Sequence, residues 1–196
     1  MKSCLLCGVG GQGTVLASRI MASAAMEKGL FARTAETIGM AQRGGSVVSH
    51  VRIGEYVPSP LIPAKGADVI LGFEPGEVLR NLNFLKEDGT VIVCPDEVVP
   101  ITASLSGSAY DGKAILDHLR SVVSRLVVLD TAEIIAACGS SRVVNVALLG
   151  ALAESGVMGI DREEMHHALK KKIKPGLLAV NEKALNMGAE TIGREK

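Results

Sequence analysis

The feature that most constrains this chain is its opening. An apolar run from Lys2 to Cys7 enters Gly8-Val9-Gly10-Gly11-Gln12-Gly13 and then a helix of small residues. Six residues of strand, a glycine turn and a helix form the first unit of an α/β sheet whose strands are covered on both faces. The G-x-G-x-x-G spacing permits a tight turn and brings backbone N–H groups toward an anion at the positive end of the helix. It is equally compatible with a strand-to-helix turn that only packs the sheet. A second glycine-rich stretch, Gly39-Met40-Ala41-Gln42-Arg43-Gly44-Gly45-Ser46, follows the next strand. It adds a guanidinium at Arg43 beside two glycines able to form a backbone nest. Two such loops after successive strands converge on one crevice.

The rest of the chain continues the alternation. Leu16, Ile20 and Ala24 repeat at four-residue spacing on the first helix, and Ala17, Ser18, Ala22 and Ala25 keep it slim. Lys28-Gly29 ends it. A strand is predicted over about Leu30 to Glu36, and Val47, Ser49, Val51 and Ile53 line one face of the next. Gly54-Glu55 reads as a hairpin turn returning through Tyr56-Val57. After the proline-rich Pro58 to Pro63, Ala67 to Phe73 is a buried strand, with Pro75 opening a helix and Gly72 and Glu74 at its edge. Thr90 to Cys94 and Leu126 to Leu129 are two more buried strands. Val98 to Gly112 is loop, with a short helix from about Lys113 to Ser121. From Thr131 onward the chain is helical. The expected fold is a three-layer, Rossmann-like α/β domain over residues 1–196. Its sheet is mostly parallel with a β-hairpin, its α/β core covers 1–130 and its helical part 131–196.

Composition removes several function classes. Lys plus Arg equals Asp plus Glu at 21 each, so no basic field holds a phosphate backbone, and five aromatics give no base-stacking platform. Nucleic acid is not an expected partner. No apolar run reaches the roughly 18 residues of a membrane helix, and the early glycines leave no room for a signal peptide. The expected location is the cytoplasm. Four cysteines, Cys4, Cys7, Cys94 and Cys138, fit buried thiols in a reducing compartment. The Cys4-Leu5-Leu6-Cys7 pair has redox and half-zinc-site spacing, but in a strand residues three apart point to opposite faces.

The helical third offers three further candidates. Val143 to Leu152 is apolar almost all round and is expected to be buried. Its interruptions are read as a hydrogen-bonded interior amide at Asn145 and a close helix crossing at Gly150, in preference to a ligand role. Asp161 to Glu164 is a capping-box pattern. Glu163, Glu164, His166 and His167 hold two Glu-x-x-His spacings, but a di-metal bundle needs that motif on two helices. A solvated or partner-facing helix is the simpler reading.

At the candidate site, Glu36 lies where a dinucleotide-binding domain puts the acid for the ribose hydroxyls, yet it is equally placed to hold Arg43. Gln12 is suited to donate to a ligand or to tie the two loops together. The candidate ligand- or partner-binding residues are Gly8, Gly10, Gly11, Gln12, Gly13, Glu36, Gln42, Arg43, Gly44, Gly45, Ser46 and Glu74. None is expected to be a catalytic acid, base or nucleophile.

Gly8 to Gly13, Glu36 to Ser46 and Ala67-Asp68-Val69-Ile70-Leu71-Gly72-Phe73-Glu74-Pro75, continued by Asn145 to Leu152 and Asn181 to Gly188, resemble the gamma-chain family of 2-oxoacid:ferredoxin oxidoreductases. The resemblance spans nearly the whole chain. It implies a subunit of an enzyme that oxidatively decarboxylates 2-oxoacids, here arylpyruvates such as indolepyruvate, with coenzyme A as acyl acceptor and ferredoxin as electron acceptor. Thiamine diphosphate, magnesium and iron-sulfur clusters are then expected on a larger alpha subunit, since this chain lacks the cluster cysteines and a Gly-Asp-Gly for the thiamine magnesium. Two other classes stay open: a stand-alone nicotinamide- or flavin-binding oxidoreductase, and a purely structural regulator. An exposed partner face makes a homodimer of the isolated chain plausible.

Overall fold

The computed structural model describes residues 1–36, 44–99 and 110–194. Its centre is a six-stranded sheet in the order β2-β3-β1-β4-β5-β6. The strands are β1 (Lys2–Val9), β2 (Phe31–Glu36), β3 (Ser46–Gly54), β4 (Ala67–Gly72), β5 (Leu85–Val93) and β6 (Arg125–Val128). β1, β4, β5 and β6 pair in parallel, and β3 lies antiparallel between β1 and β2. Among the described residues seven helices pack around the sheet: α1 (Thr14–Glu27), α2 (Pro75–Asn81), α3 (Gly112–Val122), α4 (Thr131–Cys138), α5 (Val144–Ser155), α6 (Arg162–Lys172) and α7 (Pro175–Arg194).

Alternation along β1 builds the three layers. Cys4 and Leu6 point to one face, where they join residues of α1, α4, α5, α6 and α7. Leu5 and Cys7 point to the other, where Val78 of α2 and Leu116 and Leu119 of α3 cover them. The C-x-x-C pair is thus divided between two cores, as strand periodicity requires. Val47, Ser49, Val51 and Ile53 are all buried on one face of β3. α1 stops where the sequence signals it should. Gly29 takes a left-handed φ of 80°, its N–H donates to Met26 O at 3.0 Å, and Leu30 N donates to Ala25 O at 3.1 Å. That pair of bonds satisfies carbonyls the helix end would leave open.

Three expectations are corrected. The strand reversal occurs between β2 and β3, not at Gly54-Glu55, and Tyr56-Val57 is not a strand. β3 already has β1 on one edge and β2 on the other, so no edge is left for a returning strand. The segment is instead gathered by guanidinium groups: Arg33 donates to Val57 O at 2.6 Å, and Arg52 donates to Ser59 O and Leu61 O, both at 3.0 Å. Second, β6 is half-buried rather than buried, because it is the outer strand of the sheet. Third, β5 begins at Leu85, five residues before the apolar run. Its polar start, Lys86 to Asp88, lies beyond the covered part of the sheet.

α5 is buried all round, and it meets α7 at a crossing made by two glycines. A Cβ on Gly150 would land on Leu185 O, and one on Gly188 would land on Ala147 O. The two helix backbones therefore touch, and no neighbouring side chain can move aside to admit a methyl group. Gly150→Ala and Gly188→Ala are each expected to cost about 3 kcal/mol by overpacking, lowering the thermal midpoint by roughly 6–12 °C in a chain of this length. Calorimetry of the two variants checks this.

His50 of β3 gives the fold a pH dependence. Its Nδ1 accepts from Ile62 N at 3.2 Å, its ring stands edge-on to Phe84 with centroids 5.8 Å apart, and burial lowers its pKa from the ordinary 6.5. A histidine that binds its proton less readily folded than unfolded contributes stability that is present above the unfolded pKa. That contribution is lost as pH falls from about 6.5 through the lowered value. Thermal midpoints should therefore drop between pH 7 and 5, and His50→Gln should flatten that drop.

Candidate functional site

The C-terminal ends of β1, β2 and β4 and the start of β3 lie at one edge of the sheet, because Val9 pairs with Ser46 and Cys7 with Gly72. The two glycine-rich loops therefore meet, and Gly10 N donates to Gly45 O at 2.8 Å. Gln42 and Arg43 lie outside the described residues. Among the described residues, Gln12 bonds within its own loop and to the end of β4, not to the second loop. Its Oε1 accepts from Val9 N at 2.7 Å and its Nε2 donates to Phe73 O at 2.9 Å. Its carboxamide is a strut between the first loop and the end of β4. Gly8 makes the space for it, since a Cβ there would stand 2.7 Å from both Gln12 Oε1 and Phe73 Cβ.

The turn from β4 into α2 is held by two buried carboxylates. Glu74, fully buried, caps α2 by accepting from Glu77 N at 2.9 Å and also accepts from the Tyr110 hydroxyl. Burial, then the hydrogen bond and charge of Glu74, push the Tyr110 hydroxyl well above its ordinary pKa, so it stays a donor to Glu74. Tyr110 Oη in turn accepts from Gly76 N at 3.1 Å. Ser46 Oγ donates to Glu77 Oε2 at 2.6 Å, and Arg80 pairs with the other oxygen of Glu77. The end of the second loop is thereby pinned to α2. Glu36 accepts from Ser18 Oγ of α1 at 2.8 Å, so the one described bond of its carboxylate is to the first helix.

What stays open faces α1. A cavity of about 390 Å³ is lined by Gly10, Gly11, Gly13, Thr14, Arg19 and Ser49 among others. Gly11 and Gly13 have φ of 102° and 90°, a region closed to most side chains. Gly13 precedes α1 without a side-chain cap, and the first bond into the helix is Ala17 N to Gly13 O. The amides of Thr14, Val15 and Leu16 therefore remain as donors at the positive end of the helix. Arg19 has no ion-pair partner among the described residues. Sequence reasoning missed it because only the rotation of α1 shows that a residue more than one turn along lines the cavity with the loop.

Asn145 also departs from expectation. It is buried, but its Oδ1 has no hydrogen-bond partner among the described residues, at a cost of about 1–3 kcal/mol. Its Nδ2 lies 2.5 Å from where a Cβ of Gly13 would be. Gly13→Ala should therefore destabilise by its strained φ as well as this collision, by roughly 2–4 kcal/mol, measurable by denaturant melts.

The other candidate chemistries have different partners. His166 meets Glu182 at 2.7 Å, His167 and Lys171 meet Glu27 at 3.5 and 3.0 Å, and Lys28 meets Glu164 at 2.9 Å. The Glu-x-x-His residues thus pair α6 with α1 and α7. Cys4, Cys7 and Cys94 are enclosed, and burial raises their thiol pKa values far above the ordinary range. Enclosed, protonated thiols on opposite faces of a sheet do not fit an iron-sulfur cluster. Among the described residues no group of three or more His, Cys, Asp or Glu is placed to hold a metal ion. Among the described residues no single helix is long and apolar enough to cross a membrane.

Residues 3–191 match the model of a family described as pyruvate ferredoxin/flavodoxin oxidoreductase. The chain is similar to indolepyruvate oxidoreductase subunit IorB of Archaeoglobus fulgidus, at 41% identity over 92% of this chain and 90% of that one. It is 32% identical to the subunit of the same name from Thermococcus kodakarensis, over 95% and 93% of the two chains. Among solved structures, the gamma subunit of a keto/oxoacid ferredoxin oxidoreductase from Geobacter sulfurreducens PCA superposes with a TM-score of 0.73 at 23% identity, covering 99% of each chain. That likeness shows the same fold.

Proposed function

The chain belongs to the pyruvate ferredoxin/flavodoxin oxidoreductase family, and from that premise we propose that it is a subunit of a ferredoxin-dependent 2-oxoacid oxidoreductase acting on indolepyruvate and related arylpyruvates. The observation that carries this is 41% identity, over nearly the full length of both chains, to a subunit of an indolepyruvate oxidoreductase. In the proposed reaction the 2-oxoacid loses carbon dioxide, its acyl carbon forms a thioester with the sulfur of coenzyme A, and two electrons pass to ferredoxin with release of a proton. Thiamine diphosphate and iron-sulfur clusters supply the carbanion and redox chemistry, and the larger partner subunit carries them, in keeping with the enclosed thiols of this chain, which do not suit a cluster. The complex then works in the cytoplasm, where its thiols stay reduced.

This chain's part is to bind and to exclude water. The described candidate side chains at the edge, Gln12, Glu36, Ser46 and Glu74, are engaged in internal hydrogen bonds, which makes the edge a rigid wall. Its open donors among the described residues are the first amides of α1 and Arg19. They favour an oxyanion, and the phosphates of coenzyme A are the proposed occupant. A stand-alone nicotinamide or flavin enzyme is not favoured, since Glu36, the candidate ribose acid, is bonded to Ser18.

In the co-purified complex, kcat/KM with a viologen acceptor is expected to be highest for indolepyruvate and at least about tenfold lower for pyruvate. Arg43→Ala should raise the KM for coenzyme A about 10- to 100-fold, the loss of one charge-assisted hydrogen bond. If Arg43 instead docks the partner, the KM stays unchanged and co-purification weakens.

A further inference from the structure

The most pointed polar group near the glycine loop comes from the other end of the chain. Asn145 sits in the first turn of α5, is 5% exposed, and its enclosed Oδ1 has no partner among the described residues. Its Nδ2 is the atom nearest the place where a Cβ of Gly13 would be. An apolar side chain here, between Val144 and Val146, would leave no polar atom unpaired. The described part of the fold therefore keeps a polar side chain whose hydrogen bonds it does not itself complete. It does so beside the residue that opens α1, where the amides of Thr14, Val15 and Leu16 have no partner among the described residues either and Arg19 lines the cavity.

We propose that Asn145 is a ligand-binding residue of the glycine-loop site, donating its amide N–H to a phosphate or carboxylate oxygen seated at the positive end of α1. The inference rests on the reading that this edge binds an anionic ligand. Donors from separate parts of the chain then meet at the loop: the first turn of α1 and the guanidinium of Arg19 line the cavity, and the carboxamide from the helical third adjoins Gly13. A neutral carboxamide suits the position, because a carboxylate would compete with the ligand for the same helix end. Gly13 serves the arrangement twice, through its left-handed φ and by leaving room for the amide.

The test uses the assembled complex, with Asn145→Leu, Asn145→Ser and Asn145→Asp in this chain. Thermal midpoint, subunit stoichiometry and the KM values for coenzyme A and for the 2-oxoacid are measured for each. Asn145→Leu is expected to leave the stoichiometry unchanged and the midpoint no lower than that of the parent, while raising one KM about tenfold. Asn145→Asp should raise the same KM further, by repulsion. A change in the coenzyme A constant identifies the oxyanion as a phosphate, and competition by inorganic phosphate in the parent should weaken in the variants. A change in the 2-oxoacid constant identifies it as a carboxylate. Asn145→Ser, whose hydroxyl is too short to reach, decides the matter if the leucine variant does not assemble. The proposal is overturned if both KM values stay within about twofold of the parent in every variant that assembles, or if no variant assembles, which would make Asn145 structural. Arg19→Ala and Arg43→Ala separate the two levels. If they raise a KM and the Asn145 variants do not, only the role of Asn145 fails. If they too leave both constants unchanged, the anionic-ligand reading fails with it.

Discussion

The carboxamide of Gln12, accepting from Val9 N and donating to Phe73 O, holds the loop-bearing edge of the sheet together. It spans from the end of β1 to the end of β4 and closes the first glycine loop over the space that Gly8 leaves. The remaining contacts build outward from that strut. Gly10 N on Gly45 O brings the second loop alongside the first, Ser46 on Glu77 ties that loop to α2, and Glu74 with Tyr110 fixes the turn into α2. Buried polar networks of this kind are worthwhile only when each member is satisfied. Here the described groups pair with one another, and the edge is stiff before any ligand or partner arrives.

Much of the architecture is legible from local chemistry. The strand, glycine turn and small-residue helix at the N-terminus, the single buried face of β3, the glycine stop of α1 and the all-round burial of α5 follow from periodicities of two and of about 3.6 and from the needs of positive φ. The hairpin was not legible. Gly54-Glu55 has turn chemistry, but whether a strand returns depends on a free edge, and β2 and β1 occupy both edges of β3. That is a property of the assembled sheet and leaves no local trace.

The site divides in the same way. The glycine loops are visible in the sequence because special backbone conformations demand special residues. The partners of Gln12 and Glu36 are not, since a long polar side chain says only that it will bond, and the fold decides to what. Arg19 and Asn145 are ordinary until α1 is rotated against the loop and α5 is brought beneath Gly13. The sequence reads Asn145 as a satisfied interior amide; it is interior, but among the described residues its oxygen has no partner.

The function proposed is that of an enzyme divided between chains, in which this one would contribute a wall with helix-end and guanidinium donors and its partner would carry electron transfer. The measurement that bears on this most directly is separation and remixing. The two subunits are purified apart under anaerobic conditions and assayed alone and together for viologen reduction with indolepyruvate and coenzyme A. The account predicts that neither chain turns over alone and that mixing restores activity with a dependence on coenzyme A. Full activity from the larger subunit by itself would contradict it.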